Sequence, residues 1–150
     1  MPTVDTHLRS ALLIVVAFMF AGTPVELLLA DHTAETAQFI PFLLCGAAFI
    51  AILAVLVRPR RTTLRILRGV MVLNILGGLL GMVLHLIGNY NFEREIRPNA
   101  QAADLIADTL KGVNPLLAPG MLIFFAVVAL IAVYNYPDSE NSADAGSQGG

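Results

Sequence analysis

Four apolar runs, at residues 11–30, 37–57, 69–88 and 116–134, leave this chain few folds to choose from. Each is close to the ~20 residues that an α-helix needs to cross a ~30 Å hydrocarbon core. Inside lipid the backbone has no water to bond, and a helix satisfies its own N–H and C=O groups within one segment. The sequence therefore predicts an all-α integral membrane protein, a four-helix transmembrane bundle over residues 1–136. Composition agrees: 57% hydrophobic and 13% charged residues, with a mean hydropathy of +0.75, are too apolar for a soluble domain of this size. A formal charge of -2 gives no electrostatic reason to expect a nucleic-acid partner. The single cysteine, Cys45, lies inside the second run and reads as a packing residue; alone, it can form no intrachain disulfide.

The N-terminal region has some marks of a secretory signal, with Arg9 before an apolar stretch over 11–21. The segment Gly22-Thr23-Pro24-Val25-Glu26 is a poor cleavage site, and the apolar run resumes at Leu27, so an uncleaved first span is expected.

Orientation follows from the basic residues. Five of the nine Lys and Arg residues, Arg58, Arg60, Arg61, Arg65 and Arg68, fall in the link between spans two and three. Such loops resist translocation, which places this link in the cytoplasm and both termini with it. The expected location is a multi-pass protein of a bacterial inner membrane. The arginine cluster either fixes topology alone or also meets anionic lipid head groups. Residues 137–150, rich in Ser, Gly, Asp and Asn, are expected to form a disordered cytoplasmic tail. Tyr134 and Tyr136 read as interfacial anchors.

The second outward loop is long enough to hold a short amphipathic surface helix. Asn99 is the expected cap, with Ala102, Ala103, Ile106 and Leu110 on the apolar face and Gly112 as the stop. Span four is expected to open with Asn114 as cap and Pro115 at the first helical position, with Pro119-Gly120 one turn in.

Ionisable groups near lipid are costly and point to function by default. Glu26 and His85, near the outer ends of spans one and three, fall on the same side as His32, Gln38, Asn89, Glu93 and Glu95. These seven residues are the ligand-binding candidates. Glu26 has a competing local role, because Thr23-Pro24-Val25-Glu26 fits a capping box that would restart a broken first span at Pro24. On span three, Asn74, Gly77, Gly78 and Gly81 recur at helical spacing as a packing face, with Gly77-x-x-x-Gly81 admitting a close neighbour. His85, Asn89 and Glu93 are four residues apart, and align only if the helix runs on past Gly88.

Imidazole and carboxylate donors suit a transition metal held by His32, His85 and Glu93. A haem with the two histidines as axial ligands is the less favoured cofactor. No phosphate-binding glycine loop, G-x-S-x-G elbow or CxxC pair is present. Three functions remain open from sequence. The first is a ligand- or metal-binding vestibule on the extracytoplasmic face. The second is an accessory subunit that docks a membrane partner, or another copy of itself, through the glycine-rich third helix. The third is a small membrane enzyme using the His/Glu cluster.

Overall fold

The computed structural model describes residues 2–112 and 114–134, with only the backbone course given for 2–5 and 102. Five α-helices and one 3-10 turn account for most of them, and no strand occurs among the described residues. The order is α1 (Pro2–Leu29), a 3-10 turn (Thr36–Phe39), α2 (Ile40–Val57), α3 (Arg61–Ile96), α4 (Ala102–Lys111) and α5 (Leu117–Ala132). The expected tail, 137–150, and Tyr136 lie outside the described residues.

Three helices are long and apolar enough to cross a membrane: α1, α2 with its preceding turn, and α3. The protein is thus all-helical and of membrane-embedded type. α5, at 16 residues, is ~24 Å long at 1.5 Å per residue, short of a ~30 Å core. In contrast, the 36 residues of α3 extend ~54 Å, well beyond one bilayer core.

α1 packs on α2, α2 on α3, α3 on α5 and α5 back on α1, while α4 rests on α3. The buried residues fall at helical spacing: Leu13, Val16, Ala17 and Phe20 on α1; Cys45, Ala48, Ile52 and Val55 on α2; Leu64, Leu67 and Met71 on α3; Leu122, Phe125, Ala126 and Ala129 on α5. Phe20 and Phe125 meet edge to face at 5.7 Å between ring centres, an arrangement that matches positive ring edge to negative face. Many large apolar side chains also face outward, among them Phe18, Leu43 and Leu29. Such a surface is a liability in water and is solvated in lipid.

Local chemistry explains where the elements begin and end, and corrects several expectations. α1 does not break at Pro24 but runs through it. The Thr23 hydroxyl donates back to the Met19 carbonyl at 2.9 Å, so Thr23 is no N-cap and Glu26 completes no capping box. α1 instead stops at Asp31, whose φ of 51° is the left-handed conformation that Asp tolerates better than most residues. The His32 N–H then bonds the Leu27 carbonyl at 2.9 Å and the Asp31 N–H bonds the Leu28 carbonyl at 3.2 Å, the paired closure of a Schellman motif. α3 ends at Ile96 because Pro98 drives Arg97 out of helical geometry.

α4 starts at Ala102 with Gln101, not Asn99, in the cap position. Its inward residues are Leu105 and Thr109; Ile106 and Leu110, expected on one apolar face, are both more than half exposed. α5 begins at Leu117, two residues past the expected Asn114-Pro115 opening. The reason is Pro119: it has no N–H to donate to the Pro115 carbonyl four residues earlier, so the ladder cannot extend that far back.

Candidate functional site

The α3 helix does run past Gly88, so His85, Asn89 and Glu93 lie in one row along it. Of these, His85 and Asn89, together with Gly78 and Gly81, face the start of α5. Each turn of α3 meets a later residue of the antiparallel α5 segment as the helix is followed backwards. Asn89 bonds Asn114, His85 bonds Pro115, and Gly81 and Gly78 lie against Pro119.

Glycine is required where the backbones come closest. A Cβ at Gly78 would lie 2.8 Å from the Pro119 carbonyl oxygen and 2.6 Å from Ile123 Cγ1; at Gly81 it would lie 2.9 Å from Pro119 Cβ. Gly77 faces α2 instead, where a Cβ would meet the tip of Leu44. Gly77 and Gly81 therefore serve different neighbours, and Gly78 is the tight position. Asn74 is fully buried, and its amide donates to the Leu44 carbonyl at 3.3 Å and the Val70 carbonyl at 3.0 Å.

His85 supplies what Pro119 withholds. Its Nδ1 lies 3.0 Å from the Pro115 carbonyl. A carbonyl only accepts, so Nδ1 carries the proton and the neutral ring keeps its lone pair on Nε2. Across from it stands His32, with ring centres 6.3 Å apart and planes inclined at 60°. The Schellman closure at Asp31 is what delivers His32 there. Burial, and then the nearby His85, push the His32 pKa below its ordinary value, because both penalise the protonated ring. The two histidines proposed from sequence are thus brought together, with His32 favouring the neutral form that binds metals.

The other candidates are placed elsewhere or engaged. Asn89 is buried; its Nδ2 donates to the Thr109 carbonyl at 3.1 Å and the Asn114 carbonyl at 3.0 Å, while its Oδ1 accepts from the Asn114 N–H at 2.9 Å. It is a latch that ties the end of α4 and the approach to α5 onto α3. Glu93 accepts from Arg97 at 2.8 Å, and the same guanidinium Nη2 donates to Asp108, bridging α3 to α4. Gln38 Oε1 accepts from the Glu35 N–H at 3.2 Å and caps the 3-10 turn. Glu95 is exposed, two residues and so about 200° around the helix from Glu93. Glu26 faces outward on α1.

Among the described residues no three His, Cys, Asp or Glu side chains are grouped closely enough to hold a metal. Two open depressions lie elsewhere. One of about 340 Å3 is bordered by Glu93, Asp108, Lys111 and Gly112, the other by Arg9 and the end of α5. Neither is lined by Glu26 or by a histidine, so neither is the vestibule expected around Glu26 and His85; what converges is the histidine pair.

Two groups went unread in the sequence, the Pro115 carbonyl and Arg97, while Arg9 and Arg68 were read for topology and lipid contact but not for their bonds to the end of α5. Only the first had a signal, since a proline at position 119 orphans the carbonyl at 115. Compared with known protein families, with curated proteins and with solved structures, the chain matches none.

Proposed function

We propose that this is a multi-pass inner-membrane protein, a four-helix bundle with both termini cytoplasmic, whose extracytoplasmic end binds a transition-metal cation between His32 and His85. The observation that carries the reading is the facing histidine pair with the His85 tautomer set by the Pro115 carbonyl. A ligating histidine commonly donates its other ring N–H to a carbonyl in this way. Metal–nitrogen bonds of ~2.0–2.1 Å put the centres of two rings sharing one ion roughly 5–6.5 Å apart, according to the angle at the metal. The observed 6.3 Å falls at the wide end of that range. Imidazole suits Zn, Cu or Ni. Two protein ligands leave coordination positions for water or a ligand carried by another molecule, which favours exchangeable binding over a closed structural site.

Zn(II) titration of the purified full chain by calorimetry tests this. One equivalent should bind, and both His32→Ala and His85→Ala should abolish it. Binding that survives His32→Ala would refute the site.

A second reading rests on the same hydrogen bond: His85 is there to satisfy a carbonyl in the α3–α5 seam and binds nothing. His85→Ala would then lower thermal stability, and Zn(II) would leave the wild type unchanged. The accessory-subunit reading has less support, because α2 and α5 of this chain already cover the glycine face of α3. The enzyme reading has less support, because Glu93 of its His/Glu cluster is paired with Arg97.

A further inference from the structure

At the opposite end of the bundle, a groove of about 490 Å3 lies between α1 and α5. Its lining is aliphatic, Val127, Leu130 and Ile131, with Arg9 and Tyr134 at the terminal edge. We propose that this groove binds one anionic phospholipid, with the phosphate against Arg9 and the upper part of an acyl chain along α5. The inference is independent of the histidine reading and needs only that this end meets a leaflet.

Three observations carry it. First, charge is segregated. Six of the nine Lys and Arg residues sit at this end, where Asp5 also lies, one turn before Arg9 on α1. The other seven acidic residues among those described sit at the far end. A lipid meeting this end meets an excess of basic residues, each worth several-fold in affinity near the surface.

Second, the cation at the groove is fixed in place. Arg9 Nη1 donates to the Ala132 carbonyl at 3.4 Å and also to the Tyr134 carbonyl, while Arg68 Nη2 donates to the Val133 carbonyl at 3.0 Å. Two arginines from different helices therefore converge on the C-terminus of α5, where the helix dipole is negative. Their planar forks are pre-organised, so less freedom is lost when a phosphate adds to them.

Third, the groove fits a lipid in shape and depth. Val127, Leu130, Ile131 and Tyr134 follow one helix face for ~10 Å. Ile131 and Tyr134 are largely exposed, so an acyl chain finds apolar surface beside the cation. α5 is also short for a bilayer, and a short span is accommodated by local thinning and by flanking side chains that reach for the head groups. Both bring a phosphate towards Arg9.

The test uses the purified full chain in non-ionic detergent. Lipid binding is read by native mass spectrometry, with phosphatidylglycerol and phosphatidylcholine of identical chains and with inorganic phosphate as a third arm. Phosphatidylglycerol should bind at least about fivefold more tightly than phosphatidylcholine. Arg9→Gln should erase that preference and Arg9→Lys should keep most of it. Ile131→Trp, at an outward-facing position that fills the groove, should weaken both lipids while leaving the fold intact. Equal binding of the two lipids would overturn the proposal, as would a preference that survives Arg9→Gln. Inorganic phosphate binding as well as the lipid would remove the role of the groove. If Ile131→Trp instead dissolved an oligomer, the groove would belong to a second copy of the chain. Should Arg9→Gln not fold, Arg9→Lys and Ile131→Trp still decide the matter.

Discussion

Gly78→Ala is the sharpest test of how α3 meets α5. The new Cβ would stand 2.8 Å from the Pro119 carbonyl oxygen and 2.6 Å from Ile123 Cγ1. Ile123 can turn away, but the carbonyl belongs to the backbone. The two helices must therefore separate by roughly 0.6 Å to regain ordinary contact, and separation loosens the whole row from Asn74 to Asn89. Overpacking of this kind costs about 1–3 kcal/mol. Alanine returns about 1 kcal/mol through its better helix propensity, so the net loss should be about 0–2 kcal/mol, and the deficit against Gly46→Ala about 1–3 kcal/mol. Gly77→Ala meets only the rotatable tip of Leu44, and Gly46→Ala meets nothing within 4 Å; both should be neutral or slightly stabilising. Reversible unfolding in mixed micelles, with all three variants in one series, measures the differences. If Gly78→Ala proved as stable as Gly46→Ala, the close α3–α5 approach would be refuted.

Asn89→Ala strips three hydrogen bonds from a buried site and should cost about 1–3 kcal/mol, with faster amide exchange confined to residues 105–114. Arg97→Ala should be nearly silent in the same unfolding assay, because its ion pairs with Glu93 and Asp108 are substantially exposed and screened by solvent. The lowered His32 pKa predicts a pH dependence. Between its folded value and the ordinary 6.5 the unfolded chain binds more protons, so His32's share of stability is complete above that window and is lost as pH falls through it. Thermal midpoints at pH 7.5 and 5.5 should differ, and His32→Gln should narrow the gap.

The apolar helices were legible because length and hydropathy suffice for a segment whose solvent is lipid. Which face each helix turns inward was not. On α1, Phe20 is buried and Phe18 points out, yet a helix apolar all round carries no periodic signal to separate them. The row from Asn74 to Asn89 was readable because glycines and polar residues stand out against leucine. Its partner was hidden, since nothing near Asn114 or Pro119 says which helix lies opposite. α4 misled for a related reason: Leu105 and Ile106 are equally apolar, and only packing against α3 chooses between them. The histidine pair was legible as two residues on one side of the membrane. The residues placed around it in the sequence reading, Glu93 and Asn89 above all, carry ordinary polar groups that the local structure uses for ion pairing and capping.

Pro119 links the fold to the proposed site, and this can be tested directly. By lacking an N–H it starts α5 late, shortens the fourth apolar helix and leaves the Pro115 carbonyl to His85. Because that carbonyl can only accept, it holds the ring in the Nδ1–H tautomer, and the lone pair on Nε2 is available beside His32. Pro119→Ala restores a backbone donor for Pro115 while keeping the Cβ that touches Gly81. The α5 ladder should then extend backwards, the His85 Nδ1–H should lose its sole claim on the carbonyl, and the ring should populate both tautomers. The 15N shifts of the imidazole report this: one tautomer in the wild type, a mixture in the variant. Zn(II) affinity should fall with the tautomer bias even though both histidines remain. A wild-type ring protonated on Nε2 would break the chain of reasoning at its first step, and an unchanged tautomer in Pro119→Ala would show that something other than the orphaned carbonyl holds His85 in place.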